Sequence, residues 1–264
     1  VGEAVCRATA RREQEWIAGA LRDPVAAPAL CVWAYAATAV VLGCSGRPTP
    51  QMSERAIAAG VDLCARQTGG GAVLAGPWML GASIVLPVGH PLVDESIPLS
   101  FRWLGRAHAS WLQSIGVPAH ASPSAAAPLH PELSWACFAR LSHWEAEAGG
   151  RKIVGLAQAR RRNGVLFSAA TLIAPPPWEL LCDVLAEPRS QAAALARQTS
   201  SCRQLLGDIA PPEALARSLF AHLTEEVDAS ERQGASRSQV IFSSLQQRTP
   251  SKARTRPADG LHAV

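Results

Sequence analysis

Trp144-Glu145-Ala146-Glu147-Ala148-Gly149-Gly150-Arg151-Lys152-Ile153-Val154-Gly155-Leu156-Ala157-Gln158 reads as a β-hairpin. Residues 144–148 alternate in character at the two-residue period of a strand, and Gly149-Gly150 supplies the positive φ that a tight turn needs. The return strand has the β-branched pair Ile153-Val154 at its apolar centre. Lys152 therefore sits beside the turn on a rigid strand. The chain otherwise avoids lysine, with 23 arginines but only Lys152 and Lys252, the latter in a low-complexity C-terminal stretch. A lone lysine among so many arginines points to a need for a compact ammonium rather than a planar guanidinium. The plain alternative is a surface lysine on a hairpin.

Downstream of this hairpin, residues 164–173 form a further strand and Pro175-Pro176-Pro177 ends the sheet. Helices are expected at 178–186, 190–206 and 212–227, and disorder from Gln233, where Ser, Arg, Gln and Pro dominate. Upstream, Trp103, Leu104, Ala107, Trp111, Leu112 and Ile115 repeat at helical spacing up to Gly116, a helix suited to crossing a sheet face. Residues 118–131 read as an irregular loop rich in Pro, Ser and Ala. Nearer the N-terminus, Trp16, Ile17, Ala20 and Leu21 mark a helix that Asp23-Pro24 stops, followed by a pair of buried strands at 30–35 and 38–43. Ser53 is placed to cap a short helix ending at Gly60, and strands follow at 61–66, 71–74 and 82–87. The expected fold is α+β, a mixed β-sheet flanked by helices. It occupies residues 1–232, with 178–232 as a short helical C-terminal segment and 233–264 as a disordered basic tail.

Charge narrows the function. The whole formal excess of +4 lies in residues 233–264, while residues 1–232 carry 20 basic and 20 acidic groups and no field to attract a polyanion. Nucleic acid is excluded as a first partner. The 23 uncharged residues between Asp23 and Arg47 are marginally long enough for a membrane span, but Pro28, Tyr35, Thr38 and the Val/Ala content favour the two buried strands. Seven cysteines at irregular spacing, with no CxxC pair and no secretory leader, suit a reduced cytoplasmic compartment. No His/Cys/Asp cluster has zinc spacing, so no metal is expected.

Several groups could carry chemistry. Arg66-Gln67-Thr68-Gly69-Gly70-Gly71-Ala72-Val73 lacks the Lys-Ser/Thr of a phosphate-binding P-loop and joins strand to strand, so it is no dinucleotide fingerprint either. It reads as a tight turn, or as bare backbone on which a ligand chain or phosphate lies closely, with Arg66 as an anion anchor. Cys137, just after a loop, could act as a nucleophile if a cation were near, and Lys152 could supply that cation or stabilise an oxyanion of acyl transfer. His143 lacks an Asp or Asn partner and reads as solvated rather than as a general base. Arg160-Arg161-Arg162 follows the Lys152 strand as a solvated turn or a dock for an acidic partner.

In this order, the Arg66–Val73 stretch, then Cys137-Phe138 with Glu145, then Gly150 to Gln158 resemble the lipoate-protein ligase and octanoyltransferase family over roughly residues 5–205. The resemblance implies the mixed sheet shared with biotin protein ligases. It also implies that Thr68, Gly69, Gly70, Gly71, Ala72 and Val73, with Arg66, Gly155 and Ala157, cradle the acyl group, and that Lys152 binds the acyl carbonyl. Cys137 matches the nucleophile of the cysteine-dependent octanoyltransferase branch. Three departures stand out: Ala75-Gly76 where the family often has His-Asp, Phe167-Ser168-Ala169-Ala170 where it often has Gln-His-Gly or His-His-Gly, and Met79-Leu80-Gly81-Ala82 in place of a polar pattern.

The function so implied is transfer of an octanoyl or lipoyl group, through a Cys137 thioester and without a cofactor, from an acyl-carrier protein or other acylated donor to a lysine of a lipoyl domain. Such acceptors tend to be acidic, which gives Arg160–Arg162 a partner. Two alternatives stand beside it: an ATP- and Mg-dependent lipoate ligase, and a non-catalytic binder of lipoyl or carrier domains.

Overall fold

Two sheets of very different size organise the computed structural model, which describes residues 5–125 and 131–246. The elements are β1 (Val5–Ala8), α1 (Ala10–Ala20), β2 (Ala29–Tyr35), β3 (Ala39–Leu42), α2 (Pro50–Ala58), β4 (Asp62–Ala65), β5 (Val73–Ala75), β6 (Met79–Leu86), α3 (Ile97–Ser114), β7 (Ala119–Ala121), β8 (Ala146–Ala148), β9 (Arg151–Arg161), β10 (Gly164–Leu172), α4 (Trp178–Leu185), α5 (Ser190–Gln198), α6 (Cys202–Leu206) and α7 (Pro212–Gln246). The large sheet runs β1-β2-β6-β10-β9-β8-β7 and the small one β4-β3-β5. Among the named strands of the described residues, only β1–β2 and β3–β4 are parallel pairs. The expected α+β class, a mixed sheet flanked by helices, is what the chain forms.

The hairpin at 144–158 is β8–β9, with Gly149 at φ +60° and Gly150 at φ +72°. Helix α3 buries Leu104, Ala107, Trp111 and Leu112. Its Gly105 allows a close backbone approach, because a methyl group there would lie 1.9 Å from the Trp144 carbonyl oxygen. Trp103 and Phe101 meet Phe167 of β10 edge-to-face. Full burial of a side chain such as Phe167 is worth about 1.5–3 kcal/mol, so this contact fixes α3 against the sheet.

Several expectations change. The strands at 30–35 and 38–43 are not a pair: β2 joins the large sheet and β3 the small one. The link between them has no Gly or Asn to close a hairpin. Its ends are drawn apart instead, with Ala36 N donating to Ala8 O and Asp62 N to Thr38 O. Thr49, not Ser53, caps α2; its hydroxyl accepts from Met52 N and Pro50 opens the helix. The loop expected at 118–131 contains the edge strand β7, and residues 126–130 lie outside the described residues. The helix expected at 190–206 is broken at Thr199-Ser200-Ser201 into α5 and α6. Helix α7 runs on to Gln246, through the start of the segment expected to be disordered, and residues 247–264 lie outside the described residues. Arg160 and Arg161 belong to β9, leaving only Arg162 in the turn. Among the described residues no helix is long and apolar enough to cross a membrane.

Candidate active site

Lys152 is not a surface residue; it is 3% exposed. Its Nζ lies 2.7 Å from Glu145 Oε2, and it donates to the carbonyl oxygens of Cys137 at 2.9 Å and Arg140 at 3.0 Å. These three partners use all three N–H bonds of the ammonium. Phe138 adds an aromatic face 5.1 Å from Nζ. Glu145 is equally buried, and its remaining capacity is spent on backbone: Oε1 accepts from Leu156 N at 3.0 Å and Oε2 from Ser142 N at 2.6 Å. A buried charge pair survives only when its other hydrogen-bonding groups are satisfied, and here they are. Glu145 was quoted above as part of a motif without a role of its own. The chemical signal available was an acidic residue seven positions before the lone lysine, on the facing arm of the same hairpin.

Cys137 opens a single 3₁₀ turn, Cys137–Ala139, and is half-buried. Its N–H donates to Ala72 O at 2.9 Å, and Ala72 N donates to Trp135 O at 2.7 Å, so the Gly-rich stretch and the cysteine segment are stitched together. Gly71 permits the approach, since a methyl group there would meet Trp135 O at 2.4 Å and Cys137 N at 2.8 Å. Gly70 takes φ +100°, and a methyl group on it would lie 3.9 Å from Cys137 Sγ. Arg66 folds over this loop, donating from Nη2 to Gly69 O at 2.8 Å and Gly71 O at 2.9 Å. Its first task is therefore to brace the loop rather than to stand free as an anion anchor. Its buried Nη1 has no partner among the described residues, nor has the buried Thr68 Oγ1.

Two clefts meet at Cys137 and Leu156. One, about 540 Å³ including its open mouth, is walled by apolar residues such as Val73, Met79, Leu156, Ala157 and Ala170, and Arg66, Thr68 and Gly155 also line it. The departures at Ala75, Ser168, Ala169 and Ala170 all lie on its wall, while Phe167 turns away toward α3. At this cleft Glu13 accepts from Tyr35 Oη at 2.7 Å and Ser83 Oγ at 2.8 Å, and burial raises its carboxyl pKa. The other cleft is the more polar of the two, with Gly69, Gly70, Gly71, Ser134, Arg140 and Ser142 on its walls. Ala72 thus serves the loop through its backbone.

The remaining candidates fall elsewhere. His143 is exposed and lines neither cleft. Burial pushes the thiols of Cys64 up to about 11 and Cys202 up to about 12, which removes them as nucleophiles. Arg160 is tied to the N-terminal end of α3, donating to Asp94 O, to Glu95 O at 3.1 Å and to Ser100 Oγ at 2.8 Å. Arg161 donates to Gln67 O at 3.1 Å beside the Gly-rich loop. Among the described residues no group of three His, Cys, Asp or Glu side chains could hold a metal ion.

The model of the lipoyl protein ligase A/B catalytic domain fits residues 8–224, a span that contains the cysteine turn, the Gly-rich loop and the buried lysine. The chain belongs to that family. Within the lipoyl protein ligase A/B family, it is similar to the octanoyltransferase LipM of Moorella thermoacetica, 29% identical over 153 residues, 58% of this chain and 55% of that protein. The LipM of Clostridioides difficile is 32% identical over 113 residues, 43% of this chain and 41% of that protein. The chain thus spans about half the length of these relatives; with LipM of Kyrpidia tusciae it shares 29% identity over 79% of this chain and 82% of that protein. Among solved structures, lipoate-protein ligase A bound with ATP shares the fold at TM-score 0.62 and 20% identity, covering 85% of this chain and 86% of its own. The bi-partite lipoate protein ligase from Thermoplasma acidophilum, described with its E2 lipoyl domain, gives 0.63 and 19%, covering 85% and 82%.

Proposed function

We propose that this protein moves an octanoyl or lipoyl group onto a lysine of a lipoyl-type acceptor domain through a thioester at Cys137. The observation that carries the reading is the position of Cys137 where an apolar cleft meets a more polar one, with the buried Lys152 bonded to its carbonyl. The acyl chain lies in the apolar cleft against Ala157, and the polar cleft admits first the acylated donor and then the acceptor lysine.

In the first half-reaction the thiolate of Cys137 attacks the donor thioester carbonyl. The C–S bond of the donor breaks, and the proton given up by Cys137 leaves on the donor thiol. In the second, the acceptor amine attacks the Cys137 thioester; the amide C–N bond forms, the acyl C–Sγ bond breaks, and the amine's proton ends on the Cys137 sulfur. Both tetrahedral intermediates carry an oxyanion that Lys152 stabilises. Because its three N–H groups are engaged without substrate, the oxyanion displaces one acceptor. Arg140 O, the longest contact at 3.0 Å, is the one to yield. Glu145 keeps the ammonium aimed throughout.

The donor is an acyl-carrier protein or a similar thioester. Arg161, bonded to Gln67 O beside the Gly-rich loop, and the exposed Arg162 that follows it offer an edge for an acidic acceptor domain, whereas Arg160 is committed to α3. All seven cysteines are free thiols, which supports a reducing, cytoplasmic setting. A second reading, ATP- and Mg-dependent lipoate ligation, draws on the polar cleft over Gly69–Gly71 with Arg140 on its wall. It would form an acyl-adenylate there and would not need the thiol.

Intact-protein mass spectrometry after incubation with octanoyl-carrier thioester separates the readings, using the wild type and Cys137→Ala, with parallel samples given octanoate and ATP. The expected result is a hydroxylamine-sensitive octanoyl adduct present in the wild type and absent from Cys137→Ala. An acyl-adenylate formed equally in both proteins would replace the transferase by the ligase. Acceptor binding without acyl transfer from any donor would leave a binding protein.

A further inference from the structure

The strand that carries Lys152 is incompletely paired. On one side Lys152 faces Glu147 of β8, but on the other the ladder with β10 ends at the Thr171–Val154 pair, two residues short of Lys152. The vacant edge is filled from the C-terminal helical segment. Thr199 bridges Lys152 in parallel, and Ser200 N donates to Lys152 O at 2.9 Å. The break between α5 and α6 is therefore a two-residue patch on the sheet. Thr199 Oγ1 closes the end of α5 on Leu195 O at 2.8 Å, Ser201 accepts from Gln204 N to start α6, and Arg203 N donates to Ile173 O at 2.9 Å. All three residues of the break are at most 3% exposed.

The opposite end of α5 holds the cysteine segment. Gln191 Oε1 accepts from Trp135 Nε1 at 2.7 Å, and Trp135 O is the acceptor for Ala72 N in the stitch that also fixes Cys137 N. One rigid helix of nine residues, roughly 14 Å long, thus ends on both catalytic candidates.

We propose that α5 is a strut that sets the spacing of Cys137 against Lys152, with Gln191 as a positioning residue. This rests on the acyl-transfer reading for its chemistry, but its mechanical part does not. A side-chain hydrogen bond from the α5 end registers the cysteine turn. The backbone patch at Thr199-Ser200 registers the lysine strand. Neither Gln191 nor Thr199-Ser200 lines either cleft. Misplacement of a reacting group by about 1 Å costs up to 10²-fold in rate, which is the scale on which such a strut matters.

The test uses the full chain with Gln191→Leu, which removes the acceptor, and Gln191→Glu, which keeps one. For Gln191→Leu, kcat for octanoyl-adduct formation should fall about 10-fold at unchanged KM for the octanoyl-carrier thioester, and Gln191→Glu should restore it. Hydrogen exchange read by mass spectrometry should show faster exchange in the peptide spanning 133–139 for Gln191→Leu alone. An unchanged kcat, a rise in KM alone, or an equal fall in both variants would overturn the proposal. Failure of the wild type itself to form an adduct would reject the acyl-transfer reading. The exchange measurement would then decide the strut by itself, unchanged exchange in Gln191→Leu overturning it.

Discussion

The hairpin that holds Lys152 and the turn that holds Cys137 are built in opposite ways. The hairpin is local: Glu145 and Lys152 sit on its two arms, and the turn between them is made by consecutive glycines. The cysteine turn has no such local frame. Its N–H is fixed by Ala72, its preceding tryptophan by Gln191, and its carbonyl by Lys152 itself. The ammonium thus finds its counter-ion within the hairpin, while the thiol is placed by partners distant in the chain. Damage to the first should appear mainly as lost stability, and damage to the second mainly as lost rate.

The sharpest way to break this contrast is Glu145→Ala, which leaves the Lys152 charge buried without its counter-ion. A loss of about 3–5 kcal/mol in urea denaturation is expected. A loss below about 1 kcal/mol would mean that water or a loop shift satisfies the ammonium, and that the hairpin is not the rigid half.

A second measurement separates the site from the helix behind it. His108 of α3 is fully buried with Nδ1 against Leu104 O at 2.9 Å, and burial lowers its pKa to about 4. Because its folded pKa is depressed, its contribution is present above about pH 6.5 and is lost as pH falls through about 4. The shift corresponds to roughly 3 kcal/mol, and His108→Gln should flatten that part of the stability profile. If the acid slope persisted in His108→Gln, its source would lie elsewhere.

Lys152→Arg then tests compactness. The Nζ of Lys152 is enclosed by Glu145 Oε2, Cys137 O and Arg140 O in a site sealed from solvent, so the larger guanidinium overfills the space and should cost about 1–3 kcal/mol, measured by thermal unfolding. Full stability in Lys152→Arg would remove the argument that the chain needs a lysine there.

Gly71→Ala would press a methyl group onto backbone at Trp135 O and Cys137 N, so the cysteine turn has to shift and a stability loss of about 1–3 kcal/mol is expected. Its larger effect should be on adduct formation at Cys137, read by mass spectrometry. A variant with normal acylation would show that the stitch between Ala72 and Cys137 is not what places the thiol.

The same contrast explains what could be read in the sequence. Hairpin, turn glycines and the importance of Lys152 were legible because they follow from alternation and from one residue type used once. The apolar stripe of α3 was legible for the same reason. Cys137 stood among seven cysteines and was singled out by resemblance, since the bond from its N–H to Ala72 O joins residues far apart in the chain. Glu145 looked like one more polar residue of an alternating strand. The break at Thr199-Ser200-Ser201 was hidden inside a helical pattern, because the tertiary bond to Lys152 O, not local propensity, pulls the chain out of the helix. The edge strands β1 and β7 are too short to carry a period.

The scarcity of lysine also bears on side reactions. An acyl thioester held on a protein surface is a hazard to any amine within reach, since intramolecular capture is favoured by enormous effective concentrations. In the described residues Lys152 is the one lysine, and its nitrogen is charged, paired with Glu145 and sealed from solvent. A protonated amine has no lone pair with which to attack. The arginines that cover the rest of the molecule are poor acceptors at neutral pH. On the proposed chemistry, the described fold withholds nucleophilic side-chain amines from its own intermediate, so the acyl group waits for a lysine that another protein brings.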